Sequence, residues 1–269
     1  MMRDDTLSAR LMRVLVPVAA GLLFLLLWEA FVTIREIPRF VLPAPSVIFE
    51  SLVQNFGSLM GSLWVTLRVT IAAFLLAVVG GVGLAIVFSQ SRAVETVLFP
   101  YAVALQVTPV VSIAPLIIIW VGYDRVEIAV LILAWIVAFF PILSNTVVGL
   151  RSTDHNLRDL FTLYRASPWQ RLRLLLAPSA LPYFMAALKI AGGLSLIGAV
   201  VAEFVAGATG ANTGLASRII ESSFRNEIPR MFAALVLVSL LGVAIFLMTA
   251  FASKLVLGKW HESEIKRET

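Results

Sequence analysis

Few residues in this chain could make or break bonds. The lack of cysteine excludes thiolate and disulfide chemistry, and His155 and His261 alone supply no metal-ligand set. No serine sits beside an intramembrane base, and the phosphate-cradling G-x-x-x-x-G-K-[ST] loop is absent. What remains is charge and polarity inside apolar sequence: Glu29, Arg68, Lys189 and Glu203, and a run holding Gln106, Thr108, Pro109, Ser112 and Pro115. An ion in hydrocarbon is tolerated when it is paired, snorkels to the interface or faces a water-filled cavity. Such residues suit a path or gate for solutes. No catalytic residue, no metal site and no cofactor on this chain are expected.

The elements that must position these residues are membrane helices. Among 269 residues, 60% are hydrophobic and 14% charged, far from soluble composition; mean hydropathy is +0.96. The net charge of +5 is scattered between apolar runs rather than gathered in a patch, so nucleic acid is not expected as a partner. A helix needs about 20 apolar residues to cross the hydrocarbon. Residues 69–91, 96–123, 128–150 and 231–253 meet that need without a charge, and 14–34 and 181–205 meet it around Glu29 and around Lys189 with Glu203. The first follows Arg3, Arg10 and Arg13 and has no convincing cleavage site, which reads as a retained signal-anchor helix. The expected fold is all-α, a polytopic membrane protein of six transmembrane helices in one domain over 1–269.

Orientation follows from the basic residues. With the N-terminus inside, the inner segments carry 13 of the 21 Lys and Arg and the outer segments six, an excess that puts both termini in the cytoplasm. Trp28, Trp64, Trp120 and Tyr123 then lie near the outer interface and Trp260 near the inner one. Apolar residues at helical spacing over 47–56, after Pro43 and Pro45, predict a short interfacial helix. Gly80, Gly81, Gly83 and Ala85 mark one helix as closely packed, and Ala187, Ala191, Gly192 and Gly193 mark another. Arg68 and Glu203 fall at similar depth near the outer ends of their spans, and are expected to form an interhelical ion pair, structural or gate-related. Lys189 either snorkels or contacts Asn145. Gln106, Thr108 and Ser112 are candidate pore-lining residues; the alternative is that the prolines merely kink a packed helix whose hydroxyls bond their own backbone.

The connection over 151–180 lies on the inner side and is too long for a simple turn. Asp154 can cap a first helix running through Leu157, Leu160, Phe161 and Leu163, and Ser167 with Pro168 can start a second in which Arg171 and Arg173 alternate with leucines. Such an exposed amphipathic helix requires a partner, either the lipid surface or another protein.

At Asp159-Leu160-Phe161, Arg165 and Leu175-Leu176-Ala177-Pro178 the chain resembles the permeases of binding-protein-dependent ABC importers, whose loop reads E-A-A, three residues, G, nine residues, I-x-L-P. Aspartate replaces the glutamate, both alanines are larger, and Arg165 stands at the glycine position, where a left-handed turn costs a non-glycine residue about 1 kcal/mol. Residues 40–46, Thr66-Leu67-Arg68, Pro109 with Pro115-Leu116, and 198–204 are similar to the subgroup that imports taurine, alkanesulfonates, nitrate, or pyrimidine and riboflavin precursors. The resemblance implies a type I importer bundle in the bacterial inner membrane, working as a homodimer. An external solute-binding protein delivers a small organic or anionic solute, and separate ATPase subunits hold the ATP. It further implies that residues 154–173, with Asp154, Asp159, Leu160, Phe161, Arg165, Ser167, Arg171 and Arg173, form the element that couples to the ATPase. The rival is an ion-coupled secondary transporter using Glu203, Glu29 and Arg68, which ATP dependence would separate.

Overall fold

The computed structural model describes residues 7–207 and 213–258; Arg3, Trp260 and His261 lie outside them. Every regular element among the described residues is helical. Five helices are long and apolar enough to cross a membrane: α1 (Leu7–Ile34), α3 (Phe56–Gln90), α6 (Val126–Arg151), α9 (Ala177–Ala206) and α11 (Ile228–Leu257). The expected continuous span over 96–123 is corrected: it is a broken pair, α4 (Arg92–Val107) and α5 (Val110–Val121), bent by 102°. The break falls at Pro109, which lacks the N–H a helix requires, and its ring drives Thr108 into extended backbone at φ −69°, ψ 123°. Pro115, Pro141 and Pro182 are carried inside continuous helices.

Among the described residues, four short α-helices and a 3-10 turn at Tyr123–Arg125 join these spans. The expected interfacial helix is present as α2 (Pro45–Gln54), and α10 (Leu215–Phe224) joins α9 to α11 at the same end of the bundle. At the opposite end, the loop end, α7 (His155–Leu163) and α8 (Pro168–Arg171) join α6 to α9 through a π-helical stretch over Leu172–Leu176.

Lipid offers no hydrophobic drive for helices to associate, so small residues that let backbones approach do that work. The centre of the bundle is the α6/α9 crossing. There a Cβ added to Gly198 would stand 2.8 Å from Ala134 Cα, and one added to Gly149 would stand 2.9 Å from Ala180 Cα. Ala138, Ile142, Leu143, Ala187 and Ala191 fill the space between, with Ala77 and Ala85 of α3. Of the other glycines in the packed stretches, Gly81 and Gly192 face Ile142 and Ile245 closely, whereas Gly83 and Gly193 have no neighbour within 4 Å. Over half of α6, 56% of its apolar window, is buried, against 6% for α1. The first helix therefore packs as a peripheral element.

Candidate functional site

The loop end carries a compact helical hairpin. Helix α6 finishes on Arg151, and Asp154 then starts α7 by accepting from the N–H groups of Asn156 at 2.8 Å and Leu157 at 3.3 Å, which satisfies two of the orphan donors of a helix start. Arg158 reaches back: its Nη2 donates to the carbonyls of Arg151 at 2.8 Å and Leu150 at 3.3 Å. A cation thus sits on the negative end of α6 and fastens α7 to it.

Helix α7 ends in a left-handed turn. Ala166 N–H donates to the Phe161 carbonyl at 2.9 Å and Arg165 N–H to that of Thr162 at 3.0 Å, the paired bonds of a Schellman motif. Arg165 adopts φ 50° in it. Arginine thus holds a left-handed turn at the position where the resemblance expects glycine. Ser167 and Gln170 close a reciprocal capping box at the start of α8, with bonds of 2.8 and 3.2 Å. Arg171 Nη2 donates to Thr162 Oγ1 at 3.4 Å and links the two helices. Both ends being satisfied internally, the hairpin presents Leu157, Leu160, Leu163, Tyr164 and Trp169 to the outside, while Leu172 and Leu175 anchor its far arm in the bundle. Asp159 and Arg173 are exposed, and Phe161 is half-buried.

Of the polar run in the broken span, Gln106 and Ser112 are exposed in the single chain, and Thr108 is half-buried. Thr108 Oγ1 donates to the Ala104 carbonyl of its own helix at 2.7 Å. The bend places these residues at an exposed elbow, with the Thr108 hydroxyl satisfied within its own helix. Asn145 Nδ2 likewise bonds within its helix, to the Pro141 carbonyl at 2.8 Å.

The expected pair of Arg68 with Glu203 is corrected. Arg68 Nη2 instead meets Glu127 Oε2 at 2.8 Å, between α3 and the first turn of α6, with both side chains about half exposed. Glu203 points inward, 4% exposed, and takes hydrogen bonds from Thr66 Oγ1 at 2.8 Å and from Ala216 N–H at 3.0 Å. Matched depth brought the two residues level; the azimuth around each helix axis turned Arg68 outward and Glu203 toward α10.

Residues 74–257 match the model of the family described as the inner-membrane component of binding-protein-dependent transport systems. The chain belongs to this family of ABC importer permeases. Its curated relatives include the riboflavin transport system permease protein of Chloroflexus aurantiacus, 33% identical over 90% of this chain and 88% of the relative. The formylaminopyrimidine transport permease protein of Halalkalibacterium halodurans is 34% identical over 84% and 88% of the two chains. A putative aliphatic sulfonates transport permease protein of Bacillus subtilis is 26% identical over 80% and 77%. The chain is thus a multi-pass inner-membrane transport subunit, and the ion-coupled alternative is set aside.

In the permease, the fixing roles of three residues were not foreseen from sequence. Arg158 left a usable signal, a basic residue shortly after a helix end. Glu29 accepts from Ser46 N–H at 3.0 Å and Ser46 Oγ at 2.8 Å, and a carboxylate facing the start of a Pro-led helix could have been anticipated. Thr66 left none. Its partners, Glu203 and Leu215, stand 137 and 149 residues away.

Proposed function

We propose that the permease, as a single domain with its loop over 151–180 inside the cell, transmits ATP-driven motion from a separate ATPase subunit that docks on α7 and α8. The observation carrying this reading is the exposed apolar face of a hairpin that needs no partner to complete its own backbone bonds. A surface segment held this firmly with leucines outward is built to be covered. Both termini lie in the cytoplasm, as the basic residues favour, and an external binding protein delivers the solute to the end bearing α2 and α10. The path forms between two copies of the chain, with the elbow at Gln106, Thr108 and Ser112 facing it. As to solute, the relatives named for riboflavin and formylaminopyrimidine are nearer in identity than the one named for sulfonates, which supports a small neutral heterocycle over an anion.

The test is retention of the ATPase subunit on detergent-solubilised permease. An apolar contact central to such an interface contributes over ~2 kcal/mol, so Leu160→Asp should release the ATPase while the variant still inserts, its membrane helices being untouched. Retention with undiminished ATP-driven uptake in Leu160→Asp would refute the docking face.

A further inference from the structure

Glu203 is the most deeply buried acid among the described residues. Helix α10 begins at Gly214, which has no side chain to cap it. Its first amides are satisfied from outside the helix: Leu215 N–H donates to Thr66 Oγ1 at 2.9 Å, the Thr66 hydroxyl donates onward to Glu203 Oε1, and Ala216 N–H donates to Glu203 Oε2. A chain of three bonds thus joins α3, α9 and α10, with the carboxylate on the positive end of α10. Gly214 leaves room for it. A Cβ at that position would overlap the Glu203 carboxylate. Beside this junction lies a cavity of about 230 Å³, walled by Val69, Tyr123, Glu127, Glu203, Thr213 and Ser217 and large enough for several waters. Part of its polar wall, Thr213 and Ser217, stands on the segment that Glu203 fastens.

We propose that Glu203 is a positioning residue of the permease: through Thr66 it pins the start of α10 and so holds the polar wall of the cavity at the end opposite the ATPase-coupling loop. This rests on the orientation given above for which side the cavity opens to, but the fastening itself does not. The carboxylate works by accepting hydrogen bonds, and the gate-related role expected of an Arg68 pair is not needed. Glu203→Gln removes the charge and leaves one acceptor oxygen: with that oxygen on Ala216 N–H, the N–H₂ group can only donate to the Thr66 hydroxyl, which must turn its own proton away, so both charge-assisted bonds become neutral ones. Thr66→Val removes the relay, and Thr66→Ser preserves it.

The experiment follows amide exchange in full-length permease in detergent or nanodiscs. Because the chain has no cysteine, it also follows the labelling of Thr213→Cys in intact cells by a charged, membrane-impermeant methanethiosulfonate. Loss of a charge-assisted bond at this buried carboxylate should speed exchange over α10 about tenfold or more. Glu203→Gln and Thr66→Val should each do so, their combination no more than either alone, while α6 and α7 are unchanged. Thiol labelling at Thr213→Cys should rise in step, and Thr66→Ser should behave as wild type. Gly214→Ala, by displacing the carboxylate, should copy Glu203→Gln. Exchange over α10 within twofold of wild type, additive effects, or equal loosening of α6 and α9 would each overturn the proposal; the last would make Glu203 a general folding residue. Protection of Thr213→Cys from the outside reagent with the exchange result intact would refute only the orientation.

Discussion

Arg158 is the residue on which transmission from the loop should depend, and Arg158→Ala isolates it. The side chain lies between α7 and the last carbonyls of α6, donating to Arg151 at 2.8 Å and Leu150 at 3.3 Å. A hydrogen bond from a charged group contributes about 1.5–3 kcal/mol where it is shielded. The Arg151 carbonyl is exposed, so the lower end applies and the longer second bond adds little. Placement of the cation at a helix C-terminus adds about 0.3–1 kcal/mol more. The sum is about 2 kcal/mol, or a local opening of α7 about 30-fold more frequent. Global stability should hardly move, because the α6/α9 contacts at Gly149 and Gly198 are untouched. Amide exchange over His155–Leu163, read beside exchange in α6, measures this directly. In proteoliposomes with the ATPase subunit, ATP hydrolysis should persist while its coupling to uptake falls, and Arg158→Lys should restore only part, since the shorter lysine side chain brings its ammonium less far than Nη2 reaches. Exchange in α7 unchanged within twofold, or uptake per ATP at the wild-type level, would refute the reasoning.

Other outcomes follow from single features. Arg165→Gly should stabilise the loop by about 1 kcal/mol by relieving the left-handed arginine, seen as slower exchange at Ala166. Arg68→Ala with Glu203→Ala should be additive in a double-mutant cycle, whereas Arg68→Ala with Glu127→Ala should show coupling below ~1 kcal/mol, as for an exposed pair. Gly198→Val should cost at least ~3 kcal/mol by forcing the backbones of α6 and α9 apart, read as loss of folded permease in detergent. A reporter active only outside the membrane should be silent when fused after Leu257.

Helix count, the capped hairpin and the close-packed faces were legible because each rests on local chemistry. Asp154 and Ser167 cap the helices they precede, and runs of apolar residues measure membrane thickness wherever they occur. The broken span was half legible: the prolines announced an interruption, but Pro109 breaks the chain by 102° while Pro115, six residues on, does not, and nothing in the composition around the two separates them. The Arg68–Glu203 expectation failed on geometry. Residue number fixes depth along a helix to about 1.5 Å per residue, but it does not fix which neighbour a side chain meets once helices rotate about their axes. Helix α10 supplied the missing partner, and a ten-residue helix with no cap of its own reveals no anchor in sequence.

Both ends of the bundle obey one rule. At three helix ends, backbone groups left open are completed by charged side chains on neighbouring helices, with the sign the helix dipole demands. Arg158 completes the carbonyl end of α6; Glu29 completes the amide end of α2, and Glu203 that of α10. Each of the three therefore joins two elements as well as satisfying one, which loose apolar contact in lipid cannot do with a defined register. Arg151, on the last turn of α6, also pairs with Glu95 in the first turn of α4. Arg158 thus ties α7 to α6, from which two connections lead on. One is the interlocked face with α9 at Gly149 and Gly198; the other is the ion pair to α4 and its elbow at Pro109. The loop is therefore tied both to the packed core and to the one broken span among the described helices, whereas α1, with little of its surface buried, belongs to neither connection.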